Sequence, residues 1–136
     1  MRIIRGGSHF DERGIITYCN DFDASQIKRI YTIENHSTEF IRGWQGHRVE
    51  QRWFACIEGS FSIKVIEVDD FNTPSKSLQP LVFNIEDRTL DILHIPPGCI
   101  TSIQSNESKS KLLVMADYGV GEIDDEYRFD LDYFSN

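Results

Sequence analysis

The chain has little of what a membrane or nucleic-acid protein needs. No apolar run approaches the roughly 20 residues that span a bilayer. Lysine and arginine number 14 against 22 aspartates and glutamates, for a formal net charge of −8 and a pI near 4.9. That balance argues against a phosphate backbone or an anionic membrane as a general partner, although a few local arginines can still build a pocket for a small anion. Met1-Arg2-Ile3-Ile4-Arg5-Gly6-Gly7 lacks the apolar core of a signal peptide, so a cytoplasmic protein is expected. Cysteine is sparse: Cys19, Cys56 and Cys99 are odd in number, widely spaced and without a CxxC arrangement. Free thiols in a reducing compartment are the expectation. A nucleophile elbow, a glycine-rich phosphate loop and a dinucleotide fingerprint are all missing, which removes the hydrolase, P-loop and dehydrogenase readings those motifs would carry. No repeat or low-complexity stretch is present.

What remains is an ordinary globular composition, 40% hydrophobic and 26% charged over 136 residues. It suits a single domain, 1–136, with its own core. Short runs rich in Ile, Val, Phe, Tyr and Thr predict strands at Ile15–Tyr18, Ile27–Ile33, Phe40–Arg48, Gln51–Ile57, Phe61–Val68, Leu81–Ile85, Leu90–Ile95, Ile100–Gln104 and Lys111–Tyr118. Phe61, Ile63 and Val65 alternate with Ser62 and Lys64 at period two. Turn formers separate the runs at Asn72-Thr73-Pro74-Ser75, Pro96-Pro97-Gly98 and Ser105-Asn106-Glu107-Ser108. The Val68–Leu81 connection reads as a surface excursion, and the acidic tail from Gly121 to Phe134 as a helical turn or irregular cap. Many short strands at this spacing make the fold all-β, an antiparallel β-sandwich or barrel. The sharp Pro96-Pro97-Gly98 corner favours a jelly-roll over an up-and-down meander.

The stretch Arg42-Gly43-Trp44-Gln45-Gly46-His47 carries most of the chemistry. On a strand, Gln45 and His47 share one face. His47 has an imidazole suited to accepting a proton near neutral pH. Gln45 is an amide, able to orient a ligand by hydrogen bonds but useless as a base. Arg42, Arg48 and Arg52 offer bidentate donation to an anion. Strict alternation puts Arg42 opposite Gln45, so sharing a pocket requires a bulge at Gly43. Trp44 and Trp53 read as core or dimer-interface residues, and Tyr31 and Tyr118 as phenols that a strand can present to a cavity. His9, His36 and His94 lack such a context. Asp11-Glu12-Arg13-Gly14 reads as a solvated turn, and Asp124-Asp125-Glu126 with Asp130 and Asp132 as a solvated face.

Several segments in order resemble the WxcM-like cupins, which include dTDP-sugar 3,4-ketoisomerases, and more distantly the dTDP-4-dehydrorhamnose 3,5-epimerases. They are Asp11-Glu12-Arg13-Gly14, Lys28-Arg29-Ile30-Tyr31, Arg42-Gly43-x-x-Gly46-His47 with Glu50-Gln51, Gly59-Ser60, Ile95-Pro96-Pro97-Gly98, Leu112 to Tyr118, and the tail Glu126 to Phe134. The resemblance spans nearly the whole chain. It implies a cupin jelly-roll, a homodimer, and a nucleotide-linked 4-keto sugar as ligand, isomerised by proton abstraction and return through an enediolate. The family's catalytic base falls on Gln45, its second histidine on His47 and its arginine on Arg42. The late aspartate–tyrosine pair falls on Asp117-Tyr118, with the tyrosine as acid. The resemblance thus implies His47, Tyr118 and Arg42 as catalytic residues, with Gln45, Gln51, Arg13, Tyr31, Arg52 and Thr101 binding the substrate. Metal-binding cupins place ligands where this chain has Gln45, His47, Gln51 and Thr101; one competent donor of four predicts no metal and no cofactor. The amide at Gln45 leaves a second reading open, a cupin that binds a sugar nucleotide without turning it over. A third, a structural dimeric partner protein, would have Gln45 and His47 facing a filled, dry core.

Overall fold

A computed structural model describes residues 1–134. Its strands are β1 (Arg2–Ile4), β2 (Gly7–Asp11), β3 (Gly14–Tyr18), β4 (Arg29–Ile33), β5 (Ile41–His47), β6 (Arg52–Glu58), β7 (Ser60–Glu67), β8 (Leu81–Glu86), β9 (Ile92–Ile95), β10 (Cys99–Ser105), β11 (Lys111–Ala116) and β12 (Glu126–Arg128). One short 3-10 turn, Ala24–Gln26, precedes β4. Two five-stranded antiparallel sheets, ordered β1-β9-β6-β11-β4 and β12-β5-β10-β7-β8, face one another, and β2 and β3 form a separate hairpin. The all-β cupin sandwich expected from the sequence is the fold observed.

Alternation builds the core. Phe61, Ile63 and Val65 of β7 point inward and meet Phe54 and Cys56 of β6, Leu112 and Val114 of β11, and Leu93 and Ile95 of β9. β6 reads as a continuous apolar run because both of its faces are covered. Trp53 and Ala55 pack on the outer side against Ile4, Ile92 and Met115, under Cys19, Phe22 and Ile27. The outer face of the second sheet is covered in the same way. Trp44, Ile66 and Ile100 lie beneath Val68, Phe71 and Leu78 on one side and Phe129, Tyr133 and Phe134 on the other. Both tryptophans are therefore core residues.

Two expectations need correction here. The Val68–Leu81 connection is a cover as well as an excursion, since Val68, Phe71 and Leu78 seal the sheet behind the β5 strand. The tail is not simply a cap. Glu126–Arg128 forms β12 on the open edge of β5, with Glu126 opposite His47, Tyr127 opposite Gly46 and Arg128 opposite Gln45. Reciprocal bonds between Trp44 and Phe129 (3.2 and 2.9 Å) carry the pairing one residue further. The β1 and β2 strands and the 3-10 turn also lie outside the runs read from sequence. Asp11-Glu12-Arg13-Gly14 is, as expected, a solvated turn, and it closes the β2–β3 hairpin.

Candidate functional site

β5 positions the site. Thr101 of β10 stands opposite Gln45 while Ile103 stands opposite Arg42, so β5 spends one more residue than its partner between them. This is the bulge that the sequence demands, and it turns Arg42 back onto the face of Gln45 and His47. Both glycines of the stretch are dictated by closeness. A Cβ on Gly46 would clash with the Cys99 carbonyl oxygen, and one on Gly43 would sit 2.7 Å from the Ser102 Cα.

The shared face opens into a cavity of about 50 Å³ lined by Tyr31, Arg42, Gln45, His47, Glu50, Arg52 and Thr101 over an apolar floor including Phe54, Ile95 and Ile103. An outer mouth of about 300 Å³ shares His47, Glu50 and Arg52 with it, and adds Arg29 and the segment from Gly119 to Glu126. The inner space is too small for a hexose, whereas the mouth reaches the low end of ligand-pocket volumes.

Charge at the centre is tightly arranged. Arg52 donates from Nη1 to Glu50 Oε1 at 2.7 Å, and its Nη2 lies 3.1 Å from His47 Nε2. Glu50 Oε2 is 3.4 Å from the same ring nitrogen. All three residues are buried. A guanidinium can only donate, so the Nε2 lone pair is the acceptor and the ring proton resides on Nδ1. Among the described residues no protein group bonds Nδ1. Burial, with the Arg52 charge beside it, pushes the His47 imidazole down to about 4. His47 is therefore neutral at cellular pH, and its basic lone pair is already engaged.

Other predicted residues divide. Tyr31 lines the cavity and stacks under Arg29, whose guanidinium carbon is 4.4 Å from the ring centre. Thr101 is buried there with its hydroxyl directed to the Gln45 carbonyl at 3.4 Å. Arg42 stands exposed at the rim, donating to Asn35 Oδ1 at 3.3 Å. Three residues lie elsewhere. Gln51 points to the opposite side, donating to Asp117 Oδ2 at 3.1 Å and meeting His94 Nε2 at 2.7 Å. Tyr118 lies beyond the end of β11, beside Lys28, and lines neither the cavity nor its mouth. Arg13 is on the hairpin turn, paired with Asp11 at 2.7 Å on the surface.

Sequence reasoning missed Glu50 and the acidic run after Ile123. Asp125 is buried, not solvated: its carboxylate accepts from the backbone N–H of Arg48, Val49 and Glu50 at 2.8–3.1 Å. That single side chain fixes the turn that delivers Glu50. Cys99 also lines the cavity, but burial pushes its thiol up to about 11, which leaves it without nucleophilic character at neutral pH.

The whole chain, residues 1–136, matches the family model described as FdtA: WxcM-like, C-terminal. No curated protein matches the sequence. Solved structures share the fold. A 3,4-ketoisomerase from Helicobacter canadensis is 20% identical, with a TM-score of 0.72 over 98% of this chain and 93% of its own. The QdtA 3,4-ketoisomerase from Thermoanaerobacterium thermosaccharolyticum, in complex with TDP-4-keto-6-deoxyglucose as a mutant, is 22% identical, with a TM-score of 0.70 over 98% of this chain and 90% of that one. ChmJ, a 3'-monoepimerase from Streptomyces bikiniensis solved with dTDP-quinovose, is 12% identical, with a TM-score of 0.74 over 96% and 69%.

Proposed function

The chain belongs to the FdtA, WxcM-like C-terminal family, and from that premise we propose that it is a sugar-nucleotide isomerase or epimerase acting on a dTDP-4-keto-6-deoxyhexose. The observation that carries this reading is the cavity face itself. His47, Gln45, Arg42 and Thr101 are gathered from β5 and β10 at the end of a barrel whose shape is shared with a ketoisomerase bound to TDP-4-keto-6-deoxyglucose. A wholly structural role would leave that face packed and dry; instead it is polar and open to the mouth.

The reaction needs a proton removed from the carbon beside the ketone, charge stabilised on the ketone oxygen, and the proton returned. His47 serves the oxygen. As a neutral imidazole it gives its Nδ1 proton to the developing oxyanion and is replenished from the neighbouring hydroxyl. Arg42 at the rim supports the charge of the enediolate or diphosphate. Arg52 frames the mouth, and Gln45, Thr101 and Tyr31 line the inner space toward which the edge of the sugar ring points. Nothing in the geometry supports the roles that the resemblance suggested for Tyr118 and Gln51.

Incubation with dTDP-4-keto-6-deoxyglucose in deuterated water, followed by NMR, tests the proposal. The expected result is deuterium at carbon beside the ketone and movement or inversion of the sugar centre. Binding without exchange would favour a non-catalytic sugar-nucleotide cupin. Absence of both would defeat the assignment for this substrate.

A further inference from the structure

We propose that Glu126 is the general base that removes the carbon-bound proton, an inference that rests on the sugar-nucleotide reading above. The cavity face has a proton donor but lacks an obvious acceptor. Gln45 is an amide, the His47 lone pair is held by Arg52, and both oxygens of Glu50 face the Arg52–His47 pair. Asp125 is consumed by three backbone N–H groups.

Glu126 is placed differently. It stands directly opposite His47 in the β12–β5 ladder, and residues directly opposite in an antiparallel pair project to the same face. Its carboxylate therefore belongs to the face of His47 and Gln45, and it lines the mouth where a sugar ring has room. Gln45 Nε2 donates to Oε1 at 2.9 Å. Arg128, opposite Gln45, donates from Nε to the same Oε1 at 2.6 Å. Both donors land on one oxygen, and among the described residues Oε2 has no protein partner. Two neighbours hold the group in place while one oxygen stays free to accept. Gln45 is thereby a positioning residue: an amide that orients a carboxylate in the place where the resemblance puts a basic side chain.

The step balances without any added reagent. Oε2 takes the proton from the carbon beside the ketone, and the C–H electron pair becomes the C=C bond of the enediolate. The former ketone oxygen takes the negative charge and the His47 proton. Return of the proton from Glu126 to the adjacent carbon, while the neighbouring hydroxyl gives its proton to His47 and becomes the new ketone, gives ketoisomerisation. Protonation of the original carbon on its other face by solvent, with the enol proton returning to His47 and the Glu126 proton passing to solvent, gives epimerisation.

The test compares wild type, Glu126→Gln, and Glu126→Ala with added formate or chloride at equal ionic strength, all by solvent deuterium exchange and by calorimetric binding of the dTDP-sugar. Glu126→Gln is expected to keep binding and lose roughly 10²–10⁴-fold in exchange. Formate, but not chloride, is expected to restore part of the exchange in Glu126→Ala, which a merely structural role would not produce. If Glu126→Gln also loses binding, the formate result decides: rescue supports the base, no rescue overturns it. Exchange at the wild-type rate in Glu126→Gln overturns this inference alone. A wild-type protein that exchanges nothing overturns the functional reading and this inference with it.

Discussion

His47 shows how burial redirects a residue's chemistry. The sequence places it on the right face by simple alternation with Gln45, but it cannot reveal that Arg52 occupies its lone pair. A histidine held neutral in the fold and free to charge in the unfolded chain makes stability depend on pH. Below 6.5 the unfolded state binds more protons than the folded one, so stability falls as pH drops toward about 4. The expected loss attributable to His47 across that window is on the order of 3 kcal/mol. His47→Gln, which can still accept from Arg52, should flatten the decline. Urea midpoints measured at pH 7 and pH 5 check this: an equal decline in both proteins would contradict it. The misplacement of Gln51 has a related cause. Residues Arg48–Gln51 form a turn between β5 and β6, so the alternation of one strand does not carry into the next. Counted backward from Arg52, Phe54 and Cys56 instead, the same period reaches Glu50, which is the carboxylate in the cavity.

At the level of elements, β5 was legible and β12 was not. Apolar and aromatic residues mark most of the strands, and the requirement for a bulge at Gly43 followed from Arg42 alone. The close crossing of β5 and β10 makes a sharp expectation at Gly46. Gly46→Ala forces a Cβ against the Cys99 carbonyl, with a cost of about 1–3 kcal/mol as the strands move apart. A denaturation midpoint unchanged from wild type would show that the crossing yields without penalty. β12 escaped notice because its three residues, Glu126-Tyr127-Arg128, have no apolar pattern of their own. It is held by what flanks it: the Asp125 carboxylate on one side and Phe129, Tyr133 and Phe134 packed over Trp44 on the other. Asp125→Ala leaves three backbone donors of the 48–50 turn without their acceptor. A loss of about 2–4 kcal/mol is expected, depending on how far water reaches them. Hydrogen exchange at Arg48, Val49 and Glu50 should rise at the same time, and protection unchanged there would refute the capping role.

The molecule as a whole presents one feature that a single chain does not explain. The β2–β3 hairpin joins neither sheet, and an isolated two-stranded hairpin is marginal in water. Phe10, Ile15 and Ile16 are 77%, 62% and 59% exposed. Ile15 and Ile16 are successive strand residues, so apolar surface is open on both faces of the hairpin. A second copy of the chain is the proposed cover, in keeping with the homodimer expected from the sequence, because association would bury this surface and support the hairpin together. Light scattering should then report twice the 15.8 kDa of one chain. Ile16→Glu places a charge on that surface without touching either sheet, so it should shift the mass toward monomer while the far-ultraviolet circular dichroism of the sandwich persists. Wild-type protein that is monomeric at working concentration would reject the dimer. A dimer indifferent to Ile16→Glu would move the interface elsewhere, with the apolar edge at Leu81 and Val82 of β8, 57% and 52% exposed, as the next surface to substitute.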